Sequence, residues 1–285
     1  MDVRVEEWRS GTDFWADLVY DGPELVGVAR SARVERIETS YDGLVDFGDV
    51  LVKEALATDL LREFRVPVPQ VLHLQRARFA EDVSWSLAQF IESDDGTDVS
   101  PDLRQLGRLT RRLHGIQPGS AWLRPSADWA GFFTRRLSRR LSAAARYADV
   151  PADAGFLERV NAALGTRDHL ATSLLHMDLR EENLCLRSGD IVGVLDLANC
   201  MVGDPLLELA RIRAYGLLNH EFLDGYGFDR HFDEIEETLL DIYRLDTEAL
   251  LVAVAVEELD DAEFQQQKIR QTQLLCDRLA QIRLQ

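Results

Sequence analysis

The sequence predicts an α+β chain of two lobes: a small five-stranded sheet with one helix, then a larger and mostly helical part. Three observations predict it. Short alternating apolar runs separated by turn residues fill positions 1–37, and a helical period follows from 47 to 64. From about residue 93 the pattern is helical almost to the end, broken once near 171–200.

Each element has a local reason. VRVEEW reads as a strand, RSGTD as a loop, FWADLVY as a second strand and LVGVAR as a third, with Asp21-Gly22-Pro23 supplying hairpin turn chemistry. FGDVLVKEALATDLLREF sets Val50, Leu51, Glu54, Ala57, Leu60, Leu61 and Phe64 at helical spacing, and VPVP (66–69) stops it. VLHL and VSWSLAQFI (83–91) complete five strands, and the polar DDGT then marks a connector. The expected lobes are therefore 1–92 and 93–285. Ser100-Pro101 predicts an N-cap and first helical residue, and DWAGFFTRRLSRRLSAAARY and AGFLERVNAAL two further helices. ATSLLH, NLCLR and IVGVLD are short strands, with SGD (188–190) turning between the last two, and helices return from Pro205.

Composition narrows the class. Apolar residues make up 46% and charged residues 29% of 285, enough for a sizeable core and unlike a disordered chain. The longest uncharged apolar run, 249–256, is too short to cross a bilayer, and the first residues lack a signal-peptide apolar region. These features predict a cytoplasmic protein with no membrane partner. Cys185, Cys200 and Cys276 are an odd, scattered set without CxxC spacing and read as buried reduced thiols. A net charge of −18 argues against nucleic acid, whose phosphates need basic patches, and suits either a cationic small molecule or plain solubility. The sequence carries no signal of oligomeric state.

The stretch LLHMDLREENLCLRSGDIVGVLDLANC (174–200) carries the chemistry. A strand ending in His-x-Asp, a short loop to Asn, and a hairpin ending in Asp bring Asp178, Asn183 and Asp196 to one end of a small sheet. Phosphoryl transfer asks for such a set: Asp178 to take the attacking hydroxyl's proton, and Asn183 with Asp196 to hold Mg²⁺ against a triphosphate. The Asp-to-Asn interval equals that of the kinase loop H-R-D-x-x-x-x-N. One such residue alone would be read as a satisfied strand end. His176 reads as a prop of the loop, and Asp204-Pro205 as N-cap and first residue of the next helix, hence as structural support.

At this point the chain resembles the aminoglycoside phosphotransferase family, the small-molecule branch of the protein-kinase-like fold. The family's HGDLxxxN reads HMDLREEN here, its Asp-Trp-x-x-Ala reads DLANC, and its GDPxxDLA is similar to GDPLLELAR (203–211). The departures are Met177 for Gly, one extra residue between Asp178 and Asn183 relative to the shortest family form, and Glu208 for the later Asp. None removes a catalytic group. The resemblance implies a bilobal protein-kinase-like fold and a Mg²⁺-dependent transfer of the γ-phosphoryl of ATP, with GTP not excluded, to a hydroxyl of a small molecule.

The resemblance also implies a strand lysine paired with a helix glutamate at the phosphates. VLVK (50–53) imitates the lysine motif, but Lys53 is only thirteen residues before VPVP, leaving no room for the helix. Glu54 fits the helix glutamate, and the strand position falls to Arg30, with Arg33 as the fallback. Ser10, Gly11 and Thr12 fall where the family covers the phosphates, and Gln89 and Ile91 in the linker whose backbone meets adenine. His73, His114, His169, His220 and His231 share no ligand spacing and read as surface or helix-end residues.

For the acceptor, the family implies the C-terminal region. There Glu257, Asp260 and Asp261 are expected within one helical turn, suited to a cationic aminoglycoside-like or amino-sugar acceptor, or else a solvated face. Two other readings remain: a nucleotide-binding pseudokinase with a regulatory role, and a protein kinase. The latter is disfavoured because Leu-Ala follows Asp196 with no DFG and almost no room for an activation loop.

Overall fold

A computed structural model describes residues 2–79, 81–94, 100–119, 126–150, 153–167 and 172–280. His169, most of the DDGT connector and the side chain of Ser10 lie outside the described residues.

The first lobe opens with a meander of β1 (Val3–Ser10), β2 (Phe14–Asp21) and β3 (Glu24–Ala32). Gly22, at φ 60°, makes the turn between β2 and β3 in a conformation that costs glycine nothing. After β4 (Arg36–Thr39) and β5 (Gly43–Asp46) come α1 (Phe47–Glu63), β6 (Val71–Gln75) and β7 (Trp85–Ala88). The five-stranded sheet runs β1-β2-β3-β7-β6, antiparallel at every pairing. Asp46 caps α1 by accepting the Asp49 N–H at 3.1 Å, and Arg65 at φ 57° turns the chain out just before the prolines. Phe47 and Leu51 pack on Phe14 and Ala32, with the two phenylalanine rings edge to face at 5.3 Å.

The second lobe holds α2 (Leu103–His114), α3 (Trp129–Ala144) and α4 (Ala154–Gly165), then four short strands. These are β8 (Ser173–Leu175), β9 (Leu184–Arg187), β10 (Asp190–Val194) and β11 (Met201–Gly203). They pair antiparallel as β9 with β10 and β8 with β11. Helices α5 (Pro205–Ala214), α6 (His220–Tyr226), α7 (Glu234–Glu257) and α8 (Ala262–Ala280) follow. Trp129, Phe133 and Tyr243 are fully buried where α3 crosses α7. A ring such as Phe133 contributes about 2–3 kcal/mol there. The Trp129 indole N–H donates to the Tyr243 hydroxyl at 2.8 Å, and that hydroxyl donates to Asp204 at 3.0 Å. Among the described residues no helix is long and apolar enough to cross a membrane. All three cysteines are buried and free, and burial pushes the Cys200 and Cys276 thiols up to about 12.

Three local expectations need correction. First, α2 starts at Leu103 rather than at Pro101, because the Asp102 carboxylate accepts the N–H groups of Arg104 (2.8 Å) and Gln105 (3.1 Å) and out-competes Ser100 as cap. Second, Glu257, Asp260 and Asp261 do not share a helical turn. Helix α7 ends at Glu257, Asp260 adopts φ 49°, and Asp261 accepts the Phe264 N–H at 2.9 Å at the head of α8. Third, the β4–β5 hairpin has no counterpart in the sequence reading.

That hairpin reaches across to the helical lobe. Tyr41 at its tip is buried against Ala143 of α3 and Ala253 of α7, and its hydroxyl donates to Glu258. Asp42 accepts from the Arg140 guanidinium at 2.7 Å, while the other arm of Arg140 binds Asp246 at 2.7 Å. Arg139 donates to the Asp42 carbonyl at 2.8 Å. With its side chain only 3% exposed, Arg140 needs both carboxylates to offset its desolvation.

Helices α2 and α6 approach so closely that a side chain cannot fit between them. A Cβ at Gly107 would meet the Phe222 carbonyl oxygen, and Tyr226 N at 2.7 Å, both backbone atoms that cannot step aside. Gly107→Ala is therefore expected to cost about 3 kcal/mol of stability, read as a lower urea midpoint with an unchanged slope.

Candidate active site

The loop between β8 and β9 is built on a buried carboxylate. Glu208 of α5, fully buried, accepts the backbone N–H groups of His176 (2.8 Å) and Met177 (2.6 Å). His114, at the end of α2, lies 3.4 Å away through Nε2 and holds the Tyr226 hydroxyl at 2.8 Å through Nδ1. His114 is thus a buried brace and not a surface histidine. Burial by itself would raise Glu208. The close approach of the His114 imidazole, the nearby His176 ring and the His176 N–H outweigh burial and hold Glu208 below its ordinary range.

The brace fixes an unusual backbone. Met177 sits at φ 72° with its side chain buried, a left-handed conformation that costs a non-glycine residue about 1–2 kcal/mol. Both of its backbone groups are held, the N–H by Glu208 and the carbonyl by the buried Arg211 guanidinium. His176 accepts the Asp178 N–H through Nδ1 at 3.2 Å and meets the Leu195 carbonyl through Nε2 at 2.9 Å, tying the loop to the strand before Asp196.

Asp178 then points to one place. Its Oδ2 accepts from the Asn183 amide at 2.7 Å and forms an ion pair with Arg180 at 3.3 Å, and its Oδ1 accepts from the Tyr215 hydroxyl at 2.7 Å. Asn183, in a single helical turn before β9, also donates to the Asp178 carbonyl at 2.9 Å. Since its amide nitrogen is committed to Asp178, the amide oxygen is the Asn183 atom left for a cation. Asp196, with its side chain 36% exposed, lies beyond β10 at φ 60° and touches the Arg30 guanidinium at 3.5 Å.

Arg30 joins the lobes. From mid-β3 it pairs with Glu54 of α1 at 2.5 Å, reaches Asp196, and stacks over the Phe14 ring at 4.6 Å. Glu54 also accepts the Leu197 N–H at 3.3 Å, so strand, helix and the loop after Asp196 meet at one carboxylate. Arg33 stacks on Trp15 instead, at 3.8 Å.

The other sequence-selected residues are more scattered. Gly11 donates to the Phe14 carbonyl at 2.9 Å and Thr12 is exposed, both in the β1–β2 turn. The linker residues Gln89 and Ile91 border an open pocket of about 350 Å³ with Pro67, Val68 and Val192, which does not include Asp178 or Asp196. Glu257 binds Arg146 at 2.5 Å, Tyr147 at 3.0 Å and Ser40 at 3.0 Å. Asp204, fully buried, caps α5 through the Leu206 N–H and forms a two-armed pair with Arg167 at 2.6 and 2.9 Å. Sequence reasoning passed over Arg211 and Tyr215. With Glu208 they fall at 208, 211 and 215, a spacing that puts all three on one face of α5, toward the loop.

Comparison with known proteins fits this geometry. The sheet with its glutamate-bearing helix, joined to a helical lobe with a hairpin-borne aspartate, defines a protein-kinase-like fold. The chain belongs to the phosphotransferase enzyme family, whose model matches residues 49–238. A candidate fructosamine-3-kinase from Haemophilus somnus 129PT is similar in structure, with TM-score 0.71 and 18% identity over 97% of this chain and 91% of that one. The GDP complex of an aminoglycoside 2'-phosphotransferase-IIIa gives TM-score 0.61 and 14% identity over 98% and 94%. A macrolide 2'-phosphotransferase from Brachybacterium faecium gives 0.54 and 17% over 95% and 93%. At these identities the likeness is one of fold. No curated protein sequence matches the chain significantly.

Proposed function

We propose that this phosphotransferase moves the γ-phosphoryl of Mg·ATP or Mg·GTP to a hydroxyl of a small molecule, with Asp178 as the base. The observation that carries the reading is that the Asp178–Asn183 pair and the Arg30–Glu54–Asp196 set lie on neighbouring segments, joined where the Leu195 N–H donates to the Asn183 carbonyl at 2.8 Å. In this reading residues 1–92 hold the nucleotide and 93–285 supply the catalytic loop and acceptor wall.

The residues fit a magnesium ion. Asn183 and Asp196 offer hard oxygen donors, and no trio of His, Cys, Asp or Glu among the described residues would hold a metal unaided. A cation there is therefore shared with nucleotide phosphates, as Mg²⁺ prefers. When bound it neutralises phosphate charge. Arg30 holds the phosphates from the sheet side and Glu54 keeps its guanidinium in place. Gly11 and Thr12, with Ser10, cover the phosphates, and the linker backbone at Gln89 and Ile91 meets the base.

A cationic acceptor is supported by the field at the cleft. The Asp13 carboxyl is held above its ordinary range by desolvation first and then by Glu258 and Asp196, against the opposing pull of Arg30 and Arg33, so three carboxyl groups lie near one another there. Structural neighbours include complexes with kanamycin and with gentamicin. Glu257, Asp260 and Asp261 remain acceptor candidates in this proposal, at the α7–α8 corner.

Nucleoside diphosphate release across aminoglycosides, amino sugars, choline-like amines and simple sugars tests it, with the mass of the product as a check. Turnover on one acceptor that vanishes with EDTA supports the reading. Nucleotide binding without turnover on any would favour the pseudokinase. Arg30→Ala is expected to weaken nucleotide binding about tenfold by leaving Glu54 and Asp196 unopposed, measured by calorimetry. An unchanged dissociation constant would remove Arg30 from the nucleotide site.

A further inference from the structure

One face of α5 serves the catalytic loop residue by residue. Glu208 takes the N–H groups of His176 and Met177, Arg211 takes the Met177 carbonyl, and one turn on, Tyr215 donates to Asp178 Oδ1 at 2.7 Å. The first two contacts build the loop. The third touches the reacting carboxylate itself.

Asp178 has one oxygen for the loop and one for chemistry. Oδ2 is occupied by Asn183 and Arg180, both of which belong to the loop and its following turn. Among the described residues, the hydrogen bond made to Oδ1 is that from Tyr215. A base must receive the acceptor's O–H at about 2.6–3.2 Å, so the acceptor hydroxyl belongs where the phenol hydroxyl now lies. The two groups offer the same thing, an O–H to a carboxylate oxygen.

We propose that Tyr215 guards the catalytic carboxylate, its hydroxyl holding the acceptor's place at Asp178 until the acceptor displaces it, and so denying that place to water. The inference rests on the phosphotransfer reading above. The competing reaction it suppresses is hydrolysis: a water oxygen bonds to the γ-phosphorus, the bridging bond to the β-phosphate breaks, and the water proton passes to Asp178. The products are nucleoside diphosphate and inorganic phosphate.

The position of Tyr215 suits a displaceable guard. It is the C-cap just beyond α5, followed by Gly216 at φ 78°, where the chain bends and the Leu217 N–H closes on the Ile212 carbonyl. The ring is half-buried, so it can swing toward solvent without unwinding the helix. Burial, opposed by Arg211 and reinforced by Asp178, keeps the phenol protonated at any working pH, which makes it a donor and never a second base.

The test is phosphate release from Mg·ATP and Mg·GTP in the absence of any acceptor, for the full chain and for Tyr215→Phe, Tyr215→Ala and Tyr215→Phe/Asp178→Asn. Tyr215→Phe is expected to hydrolyse nucleotide about fivefold faster than wild type, the factor that one ordinary hydrogen bond corresponds to. Tyr215→Ala, with more room for water, should be faster still, and the double variant should lose the gain. A purely structural role for Tyr215 would only slow the enzyme. Nucleotide binding with unchanged or slower hydrolysis in a folded Tyr215→Phe overturns the guard alone. Phosphate found covalently on Tyr215 overturns it too, by making the residue an acceptor. A wild type that neither binds nor hydrolyses nucleotide overturns the phosphotransfer reading and the guard with it.

Discussion

Asp178→Asn is expected to lower kcat by about 10²–10⁴-fold and to leave nucleotide affinity within about twofold. The reason for the split is geometric. An asparagine can keep its oxygen toward the Asn183 amide and turn its own amide toward the Tyr215 hydroxyl, which can accept as well as donate. The loop therefore stays in place while the proton acceptor is lost. Arg30, Glu54 and Asp196 are untouched, so the phosphates keep their partners in the proposed complex. Steady-state turnover with calorimetry of nucleotide binding reads both numbers. A variant retaining more than about a tenth of wild-type kcat would remove Asp178 from the role of base.

Glu208→Gln should have the largest effect on stability, about 2–4 kcal/mol. The carboxylate now accepts two backbone N–H groups from consecutive residues, which a glutamine amide can do with only one of its two ends. The other end would face an N–H with another N–H, in a site with no access to water. Met177 would lose the anchor that holds its left-handed backbone, and Asp178 would move with it.

The pH dependence has a definite sign. Glu208 is held below its ordinary value, because His114 and the loop's N–H groups outweigh the burial that by itself would raise it. Its contribution is therefore complete above the unfolded value of about 4.3 and fades as pH falls through the lower folded value. The gap in urea midpoint between wild type and Glu208→Gln should be widest near neutral pH and narrow on acidification below about pH 4. A gap that stays constant on acidification well below that pH would mean that Glu208 is not a buried anion.

How far the site could be read from the chain depends on distance along it. Asp178, Asn183 and Asp196 lie within one short strand–loop–hairpin stretch, so spacing alone suggests that they converge. The Arg30–Glu54 contact was legible for another reason: the family resemblance implies a strand cation paired with a helix glutamate, and with Lys53 set aside Arg30 and Glu54 fit the two places. Tyr215 was not legible because its partner is 37 residues away and nothing in its neighbourhood needs a phenol. Only the interval from Glu208 and Arg211 could have pointed to it, once the helix face was known to look toward the loop.

The same physics explains the errors. The break between α7 and α8 involves neither glycine nor proline, so EELDDAE keeps a helical appearance that Glu258 and Asp260 do not follow. The β4–β5 hairpin is only four residues a side, and its stability comes from Asp42 and Tyr41 meeting helices about a hundred and two hundred residues later. His114 looked like a helix end and is one, but what buries it is Glu208, far along the chain.

The hairpin tip has a mechanical meaning for the two lobes. A body joined to another by one strap can rock in any direction, whereas one joined at two separated points can only swing about the line between them. The linker at 89–92 is one such point, the clasp of Tyr41 and Asp42 on α3 and α7 a second, and the Arg30–Asp196 and Glu54–Leu197 contacts a third. A sheet tied at three separated places has no free axis to turn about, so any hinging about the line from linker to clasp must first break the Arg30–Asp196 and Glu54–Leu197 contacts, which act as a latch.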